Sequence, residues 1–165
     1  MIGLERNSDL VKMASYAPMM EHFGRTQWTP NLIGVDSTPG SLTGSVSYYV
    51  QLLFSSHRGS TILPVSSTSD FGPLYWVASS TTTGTCYVKL ANYGNTTESV
   101  TVTVPGATSA SATADLTVLT GPSTGSNYPN NVTITPSSSS VTGSASGGWT
   151  FSLPGYGVAV LTVTT

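Results

Sequence analysis

The spacing of apolar residues changes near residue 60, from a helical repeat to strict alternation, and this switch limits what the chain can fold into. After it, Leu74, Trp76 and Ala78 alternate with Tyr75 and Val77. Cys86, Val88 and Leu90 alternate with Tyr87 and Lys89, and Val100, Val102 and Val104 with Thr101 and Thr103. Leu116 and Val118 flank Thr117, Trp149, Phe151 and Leu153 form a further set, and Gly157 to Thr164 supplies a last run. Gly, Pro, Asn or Ser closes each run. Several short strands at such spacing predict an antiparallel β-sandwich. The Ser-rich tract 137–147 is expected to be an irregular strand or surface loop, because strand patterns lie on both sides of it.

Before residue 60 the chain reads as helix, strand, helix. Residues 1–6 carry no capping residue ahead of the first apolar position, so a helix is already under way there and the chain reads as the back end of something larger. A break at Arg6-Asn7 is followed by Leu10, Val11, Met13, Ala14 and Ala17, which predict a helix over 8–17 with Ser8 as its cap and Pro18 as its stop. Asn31 to Asp36 suits a short buried strand near 31–35, and Ser37 to Gly44 reads as a loop. Val46, Tyr49, Val50, Leu53 and Phe54 form one wide apolar face on a helix near 45–58. Gly59 after His57-Arg58 supplies its stop.

Composition narrows the partners. Only 7% of residues are charged and the net charge is −2, so nothing points to nucleic acid or to an anionic membrane. No apolar run approaches the ~20 residues needed to span a bilayer, and residues 1–20 lack a leader pattern. The single cysteine, Cys86, alternates with core positions and reads as an inert buried thiol. Asn95-Thr96-Thr97 and Asn131-Val132-Thr133 are N-glycosylation sequons in turn-like surroundings.

Gly3-Leu4-Glu5-Arg6-Asn7-Ser8-Asp9, Met13-Ala14-Ser15-Tyr16-Ala17-Pro18, Gln27-Trp28-Thr29-Pro30-Asn31-Leu32-Ile33 and Ser47-Tyr48-Tyr49-Val50-Gln51 occur in this order. Leu53-Phe54-Ser55, Pro129-Asn130-Asn131-Val132 and Phe151-Ser152-Leu153-Pro154-Gly155-Tyr156-Gly157 follow. Together they resemble the C-terminal part of a glycoside hydrolase family 51 α-L-arabinofuranosidase over nearly the whole chain. The resemblance implies a mainly β architecture, an antiparallel β-sandwich preceded by an α/β remnant of a (β/α)8 barrel. Residues 1–59 would be the terminal helix-strand-helix segment of that barrel, and residues 60–165 the C-terminal sandwich. It implies an extracellular enzyme acting, without a cofactor or metal, on arabinose-containing cell-wall polysaccharides such as arabinoxylan and arabinan.

The implied chemistry is retaining hydrolysis at a terminal arabinofuranosyl group, which needs two carboxyl groups about 5–5.5 Å apart. The family's two catalytic glutamates sit on barrel strands that would precede residue 1. None of Glu5, Glu21 and Glu98 matches them, so no catalytic residue is assigned in this chain. The loop after the last barrel strand is the only part expected to reach the sugar, which makes Asp36 and Ser45 the candidate substrate-binding residues. Some bacterial members of the family place a glutamine against the sugar near the start of this helix, where this chain has Ser45. The plainer reading is that Asp36 ends the strand and Ser45 caps the helix. Glu5, Arg6 and Asp9 are expected in an ion pair or helix-end contact, His22 and His57 are ordinary surface histidines, and Trp28, Trp76 and Trp149 are packing residues. Tyr75, Tyr87, Tyr93, Tyr128 and Tyr156 are available to stack on sugars.

Three readings follow: a piece of an arabinofuranosidase that is inactive alone, a carbohydrate-binding sandwich, or an assembly protein reusing the sandwich. The apolar faces of the two expected helices would need cover from the missing barrel or from self-association.

Overall fold

The computed structural model describes residues 1–25, 28–107, 112–144 and 147–164. Ala145 and Ser146 of the Ser-rich tract and Gln27 of a quoted motif lie outside the described residues. The first part of the chain contains α1 (Ile2–Arg6), β1 (Met20–His22), β2 (Ile33–Val35), β3 (Thr43–Gly44) and α2 (Val46–Ser56). The second contains β4 (Thr61–Leu63), β5 (Leu74–Ser80), β6 (Thr85–Asn92), β7 (Glu98–Val102) and β8 (Thr113–Leu119). It ends with β9 (Ser137–Thr142), β10 (Trp149–Leu153) and β11 (Val158–Thr164).

Alternation after residue 60 resolves into two antiparallel sheets. One has six strands in the order β4-β5-β6-β11-β8-β9, and the other pairs β10 with β7. The Ser-rich tract gives a regular edge strand, β9, whose Ser138 hydroxyl meets that of Thr117 on β8 at 2.9 Å. The inner faces of the two sheets share a core of Ala78, Val88, Leu90, Leu116, Leu161 and Val163 against Val100, Trp149, Phe151 and Leu153. Leu153 and Leu161 are completely buried, and each such side chain contributes about 1.5–3 kcal/mol of transfer free energy.

The outer face of the large sheet is also covered. Ile2 of α1 and Leu53 and Phe54 of α2 pack on Val77 of β5 and Val160 of β11, with Tyr75, Tyr87, Ala91 and Val158 around them. The sheet is therefore the middle layer of three, and its β11 reads as a nearly continuous apolar run because both its faces are inside. The apolar face of α2 thus meets the sandwich through Leu53 and Phe54, while Val46, Tyr49 and Val50 are half-buried. Gly59 follows where the chain passes from α2 to β4. A Cβ there would lie 2.6 Å from the Ser80 backbone nitrogen, so only glycine lets the two backbones approach this closely.

The first 45 residues depart further from expectation. A helix is indeed present at residue 2, but it ends at Arg6, where the Asn7 side chain donates to the Gly3 carbonyl at 2.7 Å. Residues 8–17 form no helix. Leu10 and Met13 are largely exposed, so the apolar face that the spacing suggests has nothing to pack on. A ten-residue helix without tertiary packing is marginal in water, and irregular backbone wins. The expected strand near 31–35 is β2, paired in parallel with β1 and antiparallel with β3. Neither neighbour was legible, being two or three residues long.

Candidate functional site

The two residues singled out for sugar contact lie on either side of β3, Asp36 in the loop after β2 and Ser45 between β3 and α2. Its Oδ1 accepts from the Thr38 backbone N–H at 2.6 Å, which makes a local Asx turn. Its backbone N–H donates to Ser41 Oγ at 2.8 Å, and the Ser41 hydroxyl donates back to the Asp36 carbonyl at 3.1 Å. The Thr38 N–H, and after it the Ser41 hydroxyl, hold the Asp36 carboxyl below its ordinary pKa. Ser45 is the N-cap of α2, its Oγ accepting from the Tyr48 N–H at 3.2 Å. The plainer reading of both residues describes these bonds. Asp36 is half-buried and directly follows the C-terminal end of β2.

The other candidates fall on separate elements. Glu21 lies in β1 and accepts from the Asn31 amide at 3.2 Å. Glu98 opens β7 and accepts from the Thr96 hydroxyl, and Asp115 lies in β8. Among the described residues, no group of three or more His, Cys, Asp or Glu gathers where it could hold a metal. His22 Nδ1 lies 2.8 Å from the Phe23 carbonyl and His57 Nδ1 2.7 Å from the Leu53 carbonyl at the end of α2. Trp149 is buried in the core, whereas Trp76 is half-buried and lines a cavity of about 500 Å³ between β5, β6 and β7. Trp28 is 70% exposed, so the expected packing role fails within this chain. Cys86 is buried, and burial raises its thiol pKa, as an inert thiol requires.

Two residues that sequence reasoning passed over tie the α/β segment to the sandwich. Lys89 sits on the outer face of β6, in register between Val77 and Val160, and is fully buried. Its Nζ donates to Glu5 Oε2 at 2.6 Å and to the Phe54 carbonyl at 3.0 Å. Glu5 Oε1 accepts from the Ser79 hydroxyl at 3.2 Å. Burial lowers the Lys89 pKa, the Glu5 hydrogen bond and charge pull it back up, and the charge of Arg58 pushes it down again. Beside this pair, Arg6 donates to the Trp76 carbonyl at 3.1 Å and lies over the Phe71 ring at 4.3 Å. The ion pair expected around Glu5 thus exists, with a partner 84 residues away rather than on its own helix.

Asn127 does the same work at the other end. Its Nδ2 donates to the Ile134 carbonyl at 2.9 Å and to the Gly44 carbonyl of β3 at 3.2 Å. Its Oδ1 accepts from the N–H groups of Thr133 and Ile134 at 3.2 and 3.0 Å. One buried amide therefore shapes a sandwich loop and fastens it to the small sheet that ends in Asp36.

The three-layer arrangement and the chain as a whole have known counterparts. The model of the α-L-arabinofuranosidase C-terminal domain matches residues 1–157. The α-L-arabinofuranosidase A of Aspergillus niger is 53% identical over 162 residues, which is 98% of this chain and 25% of that enzyme. An arabinose-bound GH51 α-L-arabinofuranosidase superposes on all of this chain and 26% of its own length, with a TM-score of 0.84 and 41% identity. A GH51 enzyme of Thermotoga petrophila shares the fold over 98% of this chain and 36% of its own, with a TM-score of 0.75 at 18% identity. The chain spans about a quarter of the length of the first curated relatives it matches. A match that runs through the helices, the small sheet and the sandwich alike places this chain in the family of α-L-arabinofuranosidase C-terminal domains.

Proposed function

We propose that this chain is the C-terminal portion of a secreted, glycosylated α-L-arabinofuranosidase, and that its parent removes terminal α-L-arabinofuranosyl groups, releasing L-arabinose from arabinoxylan and arabinan. The observation that carries the reading is the collinear match over 98% of the chain to an enzyme four times its length. In this reading residues 1–59 close the catalytic barrel and residues 60–165 form the sandwich that supports it. The two carboxyl groups of a retaining mechanism belong to the rest of the enzyme. Barrel active sites lie at the C-terminal ends of the strands, and the position of Asp36 directly after β2 supports a place for Asp36 and Ser45 on the rim of the sugar pocket. Exposed Leu10, Met13, Met19 and Met20 favour cover by the remainder of the barrel, or by a second copy where the barrel is missing. The sequons at Asn95 and Asn131 are both on exposed residues, as attached glycans require.

Incubating the purified chain with an aryl α-L-arabinofuranoside tests this. The chain alone should give no turnover above background, and adding the N-terminal remainder of the enzyme should restore it. Turnover by the chain alone that disappears in an Asp36→Asn variant would overturn the reading.

A further inference from the structure

Eight tyrosines are present, and only three are exposed: Tyr93 at 80%, Tyr128 at 54% and Tyr156 at 46%. All three lie at the two sequons. Tyr93 precedes Asn95 by two residues, and the Tyr156 N–H donates to the carbonyl of Gly94, beside Asn95, at 3.0 Å. Tyr128 precedes Asn131 by three. Exposed tyrosines scattered at random over this surface would not gather at two short loops.

The geometry is most definite at Asn131. Tyr128 and Asn131 form an isolated antiparallel bridge across a two-residue turn of Pro129 and Asn130. The Asn131 N–H donates to the Tyr128 carbonyl at 3.0 Å and the Tyr128 N–H to the Asn131 carbonyl at 3.3 Å. Asn130 takes φ 61°, the left-handed conformation that asparagine tolerates in such turns. Residues directly opposite in an antiparallel pair project to the same side, with Cβ atoms about 5.5 Å apart. A sugar joined to Asn131 Nδ2 therefore emerges beside the Tyr128 ring. The ring is steadied by Phe23, whose centroid is 6.1 Å away, and still has half its surface open. Pyranose rings present C–H groups on one face, and these pack on the electron-rich face of an aromatic ring.

We infer that Asn131 carries an N-linked glycan whose first N-acetylglucosamine lies against Tyr128 and stiffens the 127–134 loop, with Asn95 and its neighbouring tyrosines forming a second such pair. This rests on the secreted, glycosylated reading above. The transfer is that of the secretory pathway. Asn131 Nδ2 forms a bond to C1 of the oligosaccharide, the C1–oxygen bond to the lipid diphosphate breaks, the lipid diphosphate leaves, and the amide gives up one proton to solvent.

The test is a thermal cycle on protein secreted from a yeast. Glycopeptide mass spectrometry first reports occupancy of Asn131. Wild type, Asn131→Gln, Tyr128→Ala and the double variant are then melted, each after trimming to a single N-acetylglucosamine. Losing the glycan should lower Tm by about 2–4 °C when Tyr128 is present and by much less in the Tyr128→Ala background. Tyr128→Phe should keep the full effect, which separates stacking from the hydroxyl. An occupied Asn131 whose removal shifts Tm equally in both backgrounds overturns the stacking alone. An unoccupied Asn131 overturns the glycosylated reading and the inference with it.

Discussion

Replacing Glu5 with glutamine should be among the most damaging conservative changes in this chain. The substitution keeps shape and hydrogen-bonding capacity but strips the negative charge from a Lys89 ammonium that is 1% exposed. Removing one member of a buried ion pair costs about 3–5 kcal/mol, because the remaining charge stays buried without compensation. Glu5 itself is 21% exposed, so water reaches its side of the pair and the low end, about 3 kcal/mol, applies. At a urea m-value of about 2 kcal/mol/M this moves the unfolding midpoint down by about 1.5 M. Trp149 in the core reports the transition by fluorescence. The double variant Glu5→Gln with Lys89→Met should recover most of the loss, since an apolar side chain suits a site between Val77 and Val160. Burial depresses the Lys89 pKa below 10.5, so between the folded and unfolded values the unfolded chain binds more protons and stability rises with pH. That rise should vanish in Lys89→Met. A Glu5→Gln midpoint within about 0.2 M of wild type would show that the pair does not hold α1 to the sheet, and would refute the reasoning.

Asn127→Ala removes a buried amide with four hydrogen bonds and should destabilise by about 2–3 kcal/mol, seen as a lower urea midpoint and as faster hydrogen exchange at Ile134. Ser45→Ala removes the N-cap of α2 and should cost about 1 kcal/mol in the same assay, with Ser45→Thr or Ser45→Asp close to wild type. Asp36, whose folded pKa is depressed, contributes stability that is present above its unfolded pKa near 3.8 and is lost as pH falls through the folded value. An NMR titration of its carboxyl should place the midpoint below 3.8 in wild type and move it upward in Ser41→Ala.

The sandwich was legible because most of its strands keep period two. β5, β6, β7, β8 and β10 fall on alternating runs, and β11 on the short apolar run that ends the chain. β4 escaped because three residues, Thr61–Leu63, give no period to read. The helix at 46–56 was legible from five apolar positions, and its cap from Ser45. The false helix at 8–17 came from the same signal, apolar spacing. Spacing reports a face but not whether a surface exists to receive it, and Leu10 and Met13 have none. Asp36 and Ser45 were read from sequence on one loop, but the two-residue β3 divides it and left no period to read. Lys89 could not be found, since alternation with Cys86, Val88 and Leu90 reads as a solvent-facing lysine on a two-layer sandwich. The one available signal was the apolar character of both faces of β11, which demands a second cover on the sheet.

That second cover bears on how the proposed parent enzyme would be held together. The sheet's outer face is roofed by Ile2, Leu53 and Phe54, all from the α/β segment, and the roof is fastened by a charge pair that only the two parts together complete. An apolar contact alone would permit sliding, because dispersion and transfer are non-directional. The Glu5–Lys89–Phe54 geometry does not, since a shift of either helix by one turn strands an ammonium in the interior. Asn127 imposes a second constraint at β3, on the far side of the Asp36 loop from α1. One directional anchor on the sheet and one on a sandwich loop fix the orientation of the α/β segment they hold, and that segment carries Asp36 and Ser45. Loosening either anchor should therefore change the position of this loop before it unfolds the sandwich. In the assembled enzyme, Asn127→Ala should raise KM for an aryl α-L-arabinofuranoside at temperatures where the core is still folded. An unchanged KM up to the melting transition would mean that the loop is positioned by the rest of the barrel and not from below.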